Sequence, residues 1–190
     1  KGNYMVFCPS YQYLHAIEDI LAAREASGAL SFIWNAQTNH MTEEDREAFL
    51  QSFDEERDCS MAALCVMGGI FSEGIDLMGD RLIGAAIVGT GLPQVNTERE
   101  VLKKHYDRLG ENGFDYAYRF PGMNKVLQAA GRVIRTKEDV GCILLMDERF
   151  RSTEYRILFP EEWNDMHICR MGNVESILKD FWKRNVLDIQ

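Results

Sequence analysis

The chain has 190 residues, 46% of them hydrophobic, which suits one well-buried core or two small ones and excludes a disordered chain. No stretch approaches the run of about 18 apolar residues that a membrane-spanning helix needs, and no basic segment followed by an apolar one opens the chain, so a soluble, cytoplasmic protein is expected. The formal net charge of -9 argues against a free-standing nucleic-acid binder, because neutralising phosphates takes a concentrated basic surface.

The chain opens Lys1-Gly2-Asn3-Tyr4 without an initiator Met and reads as an excised piece of something longer. A first apolar run of strand length covers residues 4–8, followed by Pro9-Ser10-Tyr11 and by Leu14, Ile17 and Leu21 at helical spacing. A second run at 30–34 leads into Asn35-Ala36-Gln37, after which Thr42 and Asp45 form a capping-box signature ahead of Phe49 and Leu50. Residues 42–58 carry eight acids against Arg46 and Arg57. The third run, 61–67, opens onto Gly68-Gly69-Ile70-Phe71-Ser72-Glu73-Gly74-Ile75-Asp76, and the fourth, 82–88, onto Gly89-Thr90-Gly91. Leu102, Tyr106 and Leu109 mark a further helix, and Leu127, Ala130 and Ile134 another, before the last run at 140–146. The tail 159–190, with Trp163, Phe181 and Trp182, is expected to pack back as irregular structure and a final helix, giving one domain over 1–190 with a terminal extension.

The runs are too continuous for a half-solvated sheet and read as buried parallel strands alternating with helices. That is an α/β doubly wound fold with a mainly parallel sheet and helices on both faces. Ligands of such sheets gather at the carboxyl ends of the strands, which draws attention to the residues after each run. Five cysteines, Cys8, Cys59, Cys65, Cys142 and Cys169, form no CxxC pair and read as reduced, buried thiols. His15, His40, His105 and His167 are too scattered for a metal site or a triad, so no metal ligand is assigned.

Chemistry concentrates in Gln128-Ala129-Ala130-Gly131-Arg132-Val133-Ile134-Arg135. Read as helix, the segment puts Gln128, Gly131, Arg132 and Arg135 on one face, with Leu127, Ala130 and Ile134 toward the core. Adjacent guanidinium groups repel, and a glycine inside a helix costs roughly 1 kcal/mol, penalties that an anion held between planar forks would offset. Residues 118–137 add Arg119, Lys125 and Lys137 and contain no acid. Those residues alone leave a solvated basic helix face equally open. The stretch from Gly68 to Asp76 offers glycine amides for a phosphate and acids for a ribose, although a turn capping the next helix would also use it.

Taken in order, Ser-Glu-Gly-Ile-Asp and Gln-x-x-Gly-Arg-x-x-Arg within an α/β pattern resemble the carboxyl-terminal motor domain of superfamily two DNA helicases of the XPD/DinG type. The resemblance begins at Val6-Phe7-Cys8-Pro9-Ser10-Tyr11, similar to helicase motif IV. It continues through 71–76 as motif V and 128–135 as motif VI, and the flanking Tyr118-Arg119-Phe120-Pro121 and Asp147-Glu148-Arg149-Phe150 look closest to bacterial DinG-like members.

The resemblance implies a RecA-like fold and an ATP-dependent 5'-to-3' helicase. Arg132 and Arg135 would reach the ATP phosphates as arginine fingers, with Gln128 near the γ-phosphate. Glu73, Gly74 and Asp76 would line the nucleotide, and Ser10, Tyr11, Gly68 and Gly69 would touch single-stranded DNA; 35–40 is a further candidate loop. Tyr11 could equally serve as a core aromatic.

No Gly-Lys dipeptide occurs, so ATP and Mg²⁺ would be held with a first motor domain outside this chain, which alone is expected to be inactive. An iron–sulfur cluster, if the family's, would also lie in that other half. Ile143-Leu144-Leu145-Met146-Asp147-Glu148 mimics a Mg²⁺-binding strand end, but Asp147 reads better as a cap. Two rivals remain: a non-catalytic interaction module that keeps the motor fold, and a degenerate dinucleotide site around Gly89.

Overall fold

The computed structural model describes residues 1–71, 77, 79–136 and 139–187. Strands β1 (Asn3–Cys8), β2 (Ile33–Ala36), β3 (Met61–Val66), β4 (Gly84–Val88) and β5 (Cys142–Met146) form one sheet in the order β2-β3-β1-β4-β5, every pair parallel. Helices α1 (Tyr11–Ala26) and α2 (Glu43–Gln51) follow β1 and β2. Helices α3 (Thr97–Arg108) and α4 (Phe120–Ala130) connect β4 to β5, and α5 (Thr153–Arg156) and α6 (Val174–Leu187) come after β5.

Side chains alternate across the sheet, so each face needs its own cover. Met5, Phe7, Met61 and Ile87 pack with Phe49 and Phe53 and with Met123, Val126 and Ala129 of α4. On the other face, Cys8 and Leu64 pack with Leu14, Ile17 and Leu21 of α1. Cover on both faces explains why the central strands read as unbroken apolar runs. It also bears out the doubly wound parallel sheet.

Local signals account for the helix starts. The Ser10 hydroxyl accepts the Tyr13 N–H at 3.2 Å, and Thr42 with Asp45 makes both halves of the capping box. Strand β2 begins at Ile33 rather than residue 30, because pairing fixes it: Ile33 stands opposite Met61 and Ala36 opposite Leu64.

Two helices depart from the sequence reading. Helix α3 has no buried residue, and Leu102 and Leu109, expected to face the core, are 38% and 63% exposed. It is held instead through Tyr106, stacked on Tyr116 at 3.8 Å, and through Arg99, whose Nη1 donates to the Ala117 carbonyl at 2.7 Å. Tyr116 and Ala117 belong to a wide π-helical turn, Asp115–Arg119, that runs straight into α4. The second departure is the end of α4 at Ala130, five residues before the helix expected from the sequence.

Phe150 and Tyr155 join the core, and Phe159 and Trp163 pack against it half-buried. All five cysteines are free, but only Cys8 and Cys65 are buried as expected, with Cys59, Cys142 and Cys169 half-buried; burial and the nearby Glu18 push the Cys8 thiol up to about 11. Among the described residues no helix is long and apolar enough to cross a membrane, and no group of three or more His, Cys, Asp or Glu could hold a metal ion.

Candidate functional site

The carboxyl edge of the sheet is organised by one buried amide. Gln37, 2% exposed, follows β2 and sits between β3 and the start of α1. Its Oε1 accepts the Val66 N–H at 2.9 Å, its Nε2 donates to the Tyr11 hydroxyl at 2.7 Å, and that hydroxyl donates to the Thr38 carbonyl at 3.3 Å. Burial raises the Tyr11 phenol above its ordinary value, opposed by the Gln37 bond. The expected DNA-facing residues are thereby brought together. Ser10 and Tyr11 leave β1, Gly68 and Gly69 leave the neighbouring β3, and a Cβ on Gly69 would lie 3.3 Å from Gln37 Nε2. Tyr11 is half-buried and latched by its hydroxyl, an intermediate between the DNA contact and the core aromatic that the sequence left open.

Gly68 has φ +73°, a left-handed conformation that favours glycine. The Lys125 side chain crosses this turn: a Cβ on Gly68 would stand 3.1 Å from Lys125 Cδ and Cε and 3.5 Å from Nζ. Lys125 is carried by α4, whose entry is fixed by glycine against glycine. A Cβ on Gly122 would come within 2.6 Å of the Thr90 carbonyl, and one on Gly91 within 2.6 Å of the Gly122 carbonyl. Thr90 is buried, with its Oγ1 3.4 Å from the Tyr155 hydroxyl. The Thr90-Gly91 part of this loop is therefore closed by α4, which disfavours the dinucleotide reading.

The expected finger face is not a helix face. Helix α4 caps at Gly131, whose N–H donates to Leu127, and Arg132 and Val133 continue in a turn through bonds to the Ala129 and Ala130 carbonyls. The core face is Val126, Ala129, Ala130 and Val133, all buried, whereas Ile134 is 42% exposed. Val133 is drawn in beside Gly141, where a Cβ would approach its Cγ1 to an impossible distance. Past it, Asp139 Oδ2 accepts the backbone N–H groups of Thr136 and Arg135, both at 2.8 Å, which hold its carboxyl below the usual range. Gln128 is exposed on α4, and Arg132 and Arg135 are half-buried on the segment that leads to β5. The glycine that looked costly inside a helix is the residue that ends one.

Glu73, Gly74 and Asp76, with Ser72, lie outside the described residues. Asp147 caps the turn after β5: it accepts the Arg149 N–H at 2.9 Å and pairs with the Arg149 guanidinium, which lowers its carboxyl. That matches a capping acid rather than a Mg²⁺ ligand. Sequence reasoning missed two residues here: Asp139 lies just beyond the acid-free stretch, and Lys125 reads only as charge. Gln37 falls within the candidate loop 35–40, but its place as the buried amide of this edge shows only once the strands are paired.

Comparison with known proteins extends this picture. Residues 1–166 match the family model described as Helicase C-terminal domain. The chain is 30% identical over 175 residues to the general transcription and DNA repair factor IIH helicase subunit XPD of Schizosaccharomyces pombe, covering 86% of this chain and 22% of the relative. It is 33% identical over 188 residues to the regulator of telomere elongation helicase 1 homolog of Anopheles gambiae, covering 92% and 19%. The chain thus spans about a fifth of the length of these relatives. Two solved structures, described as XPD_APO and XPD_Helicase, superpose with TM-scores of 0.63 and 0.59 at 20% and 21% identity, each covering 83% of this chain and 30% and 27% of theirs. They share its RecA-like α/β fold. The resemblance to the XPD type is borne out, while closeness to bacterial DinG-like members is not addressed by these relatives.

Proposed function

Because the chain belongs to the family of helicase C-terminal domains and is of the XPD type, we propose that it is the second RecA-like motor domain of an ATP-dependent DNA helicase that moves 5' to 3'. In this reading Arg132 and Arg135 are arginine fingers that meet the phosphates of ATP held with Mg²⁺ by a first motor domain, and Gln128 stands near the γ-phosphate. Glu73, Gly74 and Asp76 line the nucleotide. Ser10, Tyr11, Gly68 and Gly69 form part of the single-stranded DNA track. An iron–sulfur cluster, where the whole protein has one, belongs to the other half.

One observation supports the proposal: α4 links the residues assigned here to the strand with those assigned to the nucleotide. It crosses the Gly68–Gly69 turn through Lys125 and delivers Arg132 immediately past its C-cap, and its entry is locked by Gly122. A shift of α4 on cleft closure would move strand-facing and nucleotide-facing groups together. Guanidinium forks suit charge that builds on a phosphoryl group during transfer.

The test is DNA-stimulated ATP turnover beside nucleotide-binding titration in the full-length protein. Arg132→Ala and Arg135→Ala should each cut turnover on the order of 10³-fold, about 4 kcal/mol of transition-state stabilisation, with far smaller loss of nucleotide affinity. Turnover near wild type in folded variants would leave the motor fold as a non-catalytic scaffold.

A further inference from the structure

Lys125 is the charged side chain at the carboxyl edge to which no role has been given. It is half-buried, and its stem lies at van der Waals distance across Gly68, with the ammonium at the turn rather than extended away from it. Among the described residues no carboxylate pairs with it. The stem packs across a glycine and leaves the ammonium at the turn, where a ligand that supplies negative charge would complement it. The base of the side chain does not float, because Met123, Val126 and Ala129 are buried on either side of it along α4. Gly68 is exposed with no side chain to block approach, and Ser10 and Tyr11 emerge from the adjacent strand.

We propose that Lys125 is a backbone-phosphate contact for single-stranded DNA at the Gly68–Gly69 turn. Resting on the helicase reading above, the contact places a strand-gripping charge on the same helix as Gln128, three residues on, and seven residues ahead of Arg132. An ammonium is a point charge without a fork, so it grips phosphate and reads no base. The grip is therefore independent of DNA sequence.

The experiment measures binding of full-length protein to labelled single-stranded oligonucleotides of different sequence across a salt series, for wild type, Lys125→Met, Lys125→Ala and Lys125→Arg. Each phosphate contact to a single strand contributes about 0.7 to the slope of log affinity against log salt. Lys125→Met, which keeps the stem over Gly68, should lose about that much slope, weaken binding equally for all sequences at low salt, and raise the DNA concentration for half-maximal ATPase stimulation. Lys125→Ala should match it, and Lys125→Arg should restore the slope. A wild-type slope in Lys125→Met, with weak binding only in Lys125→Ala, would show that the stem acts as packing and overturn the proposal. If wild type itself neither binds single-stranded DNA nor responds to it in turnover, the helicase reading falls first and takes this one with it.

Discussion

Gln37 has its polar atoms committed in a way that only an amide permits. Val66 offers an N–H and needs an acceptor, Tyr11 passes its proton to the Thr38 carbonyl and needs a donor, and Gln37 supplies both from 2% exposure. Gln37→Leu removes the acceptor that Gln37 offers the Val66 N–H and the donor it offers the half-buried Tyr11 hydroxyl, at up to about 1–3 kcal/mol each, so thermal melting should fall by several degrees. Gln37→Glu keeps the acceptor but loses the donor. Burial raises the pKa of that new carboxyl in the folded state, so the variant should recover stability as pH falls and lose it as pH rises through the raised value. Melting temperature against pH checks the sign.

Asp139 runs the other way. Its carboxyl is depressed by the Thr136 and Arg135 N–H groups, so its stabilisation is complete above the ordinary value of 3.8 and is lost as pH falls through the folded value. The stability gap between wild type and Asp139→Ala should therefore close on acidification. Since Asp139 fixes the path of Arg135, Asp139→Ala should also lower turnover by on the order of 10-fold, about 1.4 kcal/mol, while Asp139→Asn keeps an oxygen for both N–H groups and should retain most activity. Equal loss in both variants would mean that the charge, not the turn, matters. The loop that carries Gln37 was legible in sequence and Asp139 was not, but the partners of both were hidden, because a polar side chain reveals them only after the strands are paired.

At the scale of elements, periodicity located the strands and the starts of helices because burial and capping are local and repeat along the chain. It failed where a tertiary contact ends or redirects an element. The spacing of Gln128, Gly131, Arg132 and Arg135 fits a helix, but Val133 packs beside Gly141 and Asp139 captures the next amides, so the helix stops at Ala130. Tyr106 and Leu109 looked like a core stripe of α3, yet the stripe meets the Asp115–Arg119 turn, whose π-helical winding no simple period encodes. The glycine pair at the entry of α4 gives this level its own test. Gly122→Ala would set a Cβ 2.6 Å from the Thr90 carbonyl and 3.1 Å from the Leu92 nitrogen, both backbone atoms that cannot swing aside. The helix must move, at about 1–3 kcal/mol. Melting should fall accordingly, and DNA-stimulated turnover should fall with it, since Lys125 and Arg132 ride on the displaced helix. Full activity at reduced stability would uncouple the helix from the chemistry.

For the whole molecule, charge and composition bear on what this chain can do by itself. Arginines that would complete a phosphate site are present, but no Gly-Lys dipeptide of the kind that cradles a triphosphate and reaches its phosphates occurs in the sequence. The purified 190-residue chain should accordingly show no ATP turnover above background. Its binding to single-stranded DNA should be weak, because the few phosphate contacts proposed near Ser10, Gly69 and Lys125 would work against a net charge of -9. Acids gather at 42–58, on and beyond α2, whereas 118–137 is free of them, and Asp45 of α2 lines one cavity with Asn35, Ala36 and Thr38, so part of the opposition reaches the carboxyl edge itself. Raising salt screens the repulsion between chain and strand but also removes the gain from counterion release, and the second effect grows with each phosphate contacted. With only a handful of contacts, affinity should still decline steadily with salt. Fluorescence anisotropy with a labelled oligonucleotide, beside a coupled ATPase assay, tests both halves of the prediction. Tight binding that survives high salt would mean that the strand is held by stacking and shape rather than by phosphates. Turnover by the chain alone that vanishes in Arg132→Ala would mean that a complete phosphate site lies within these 190 residues.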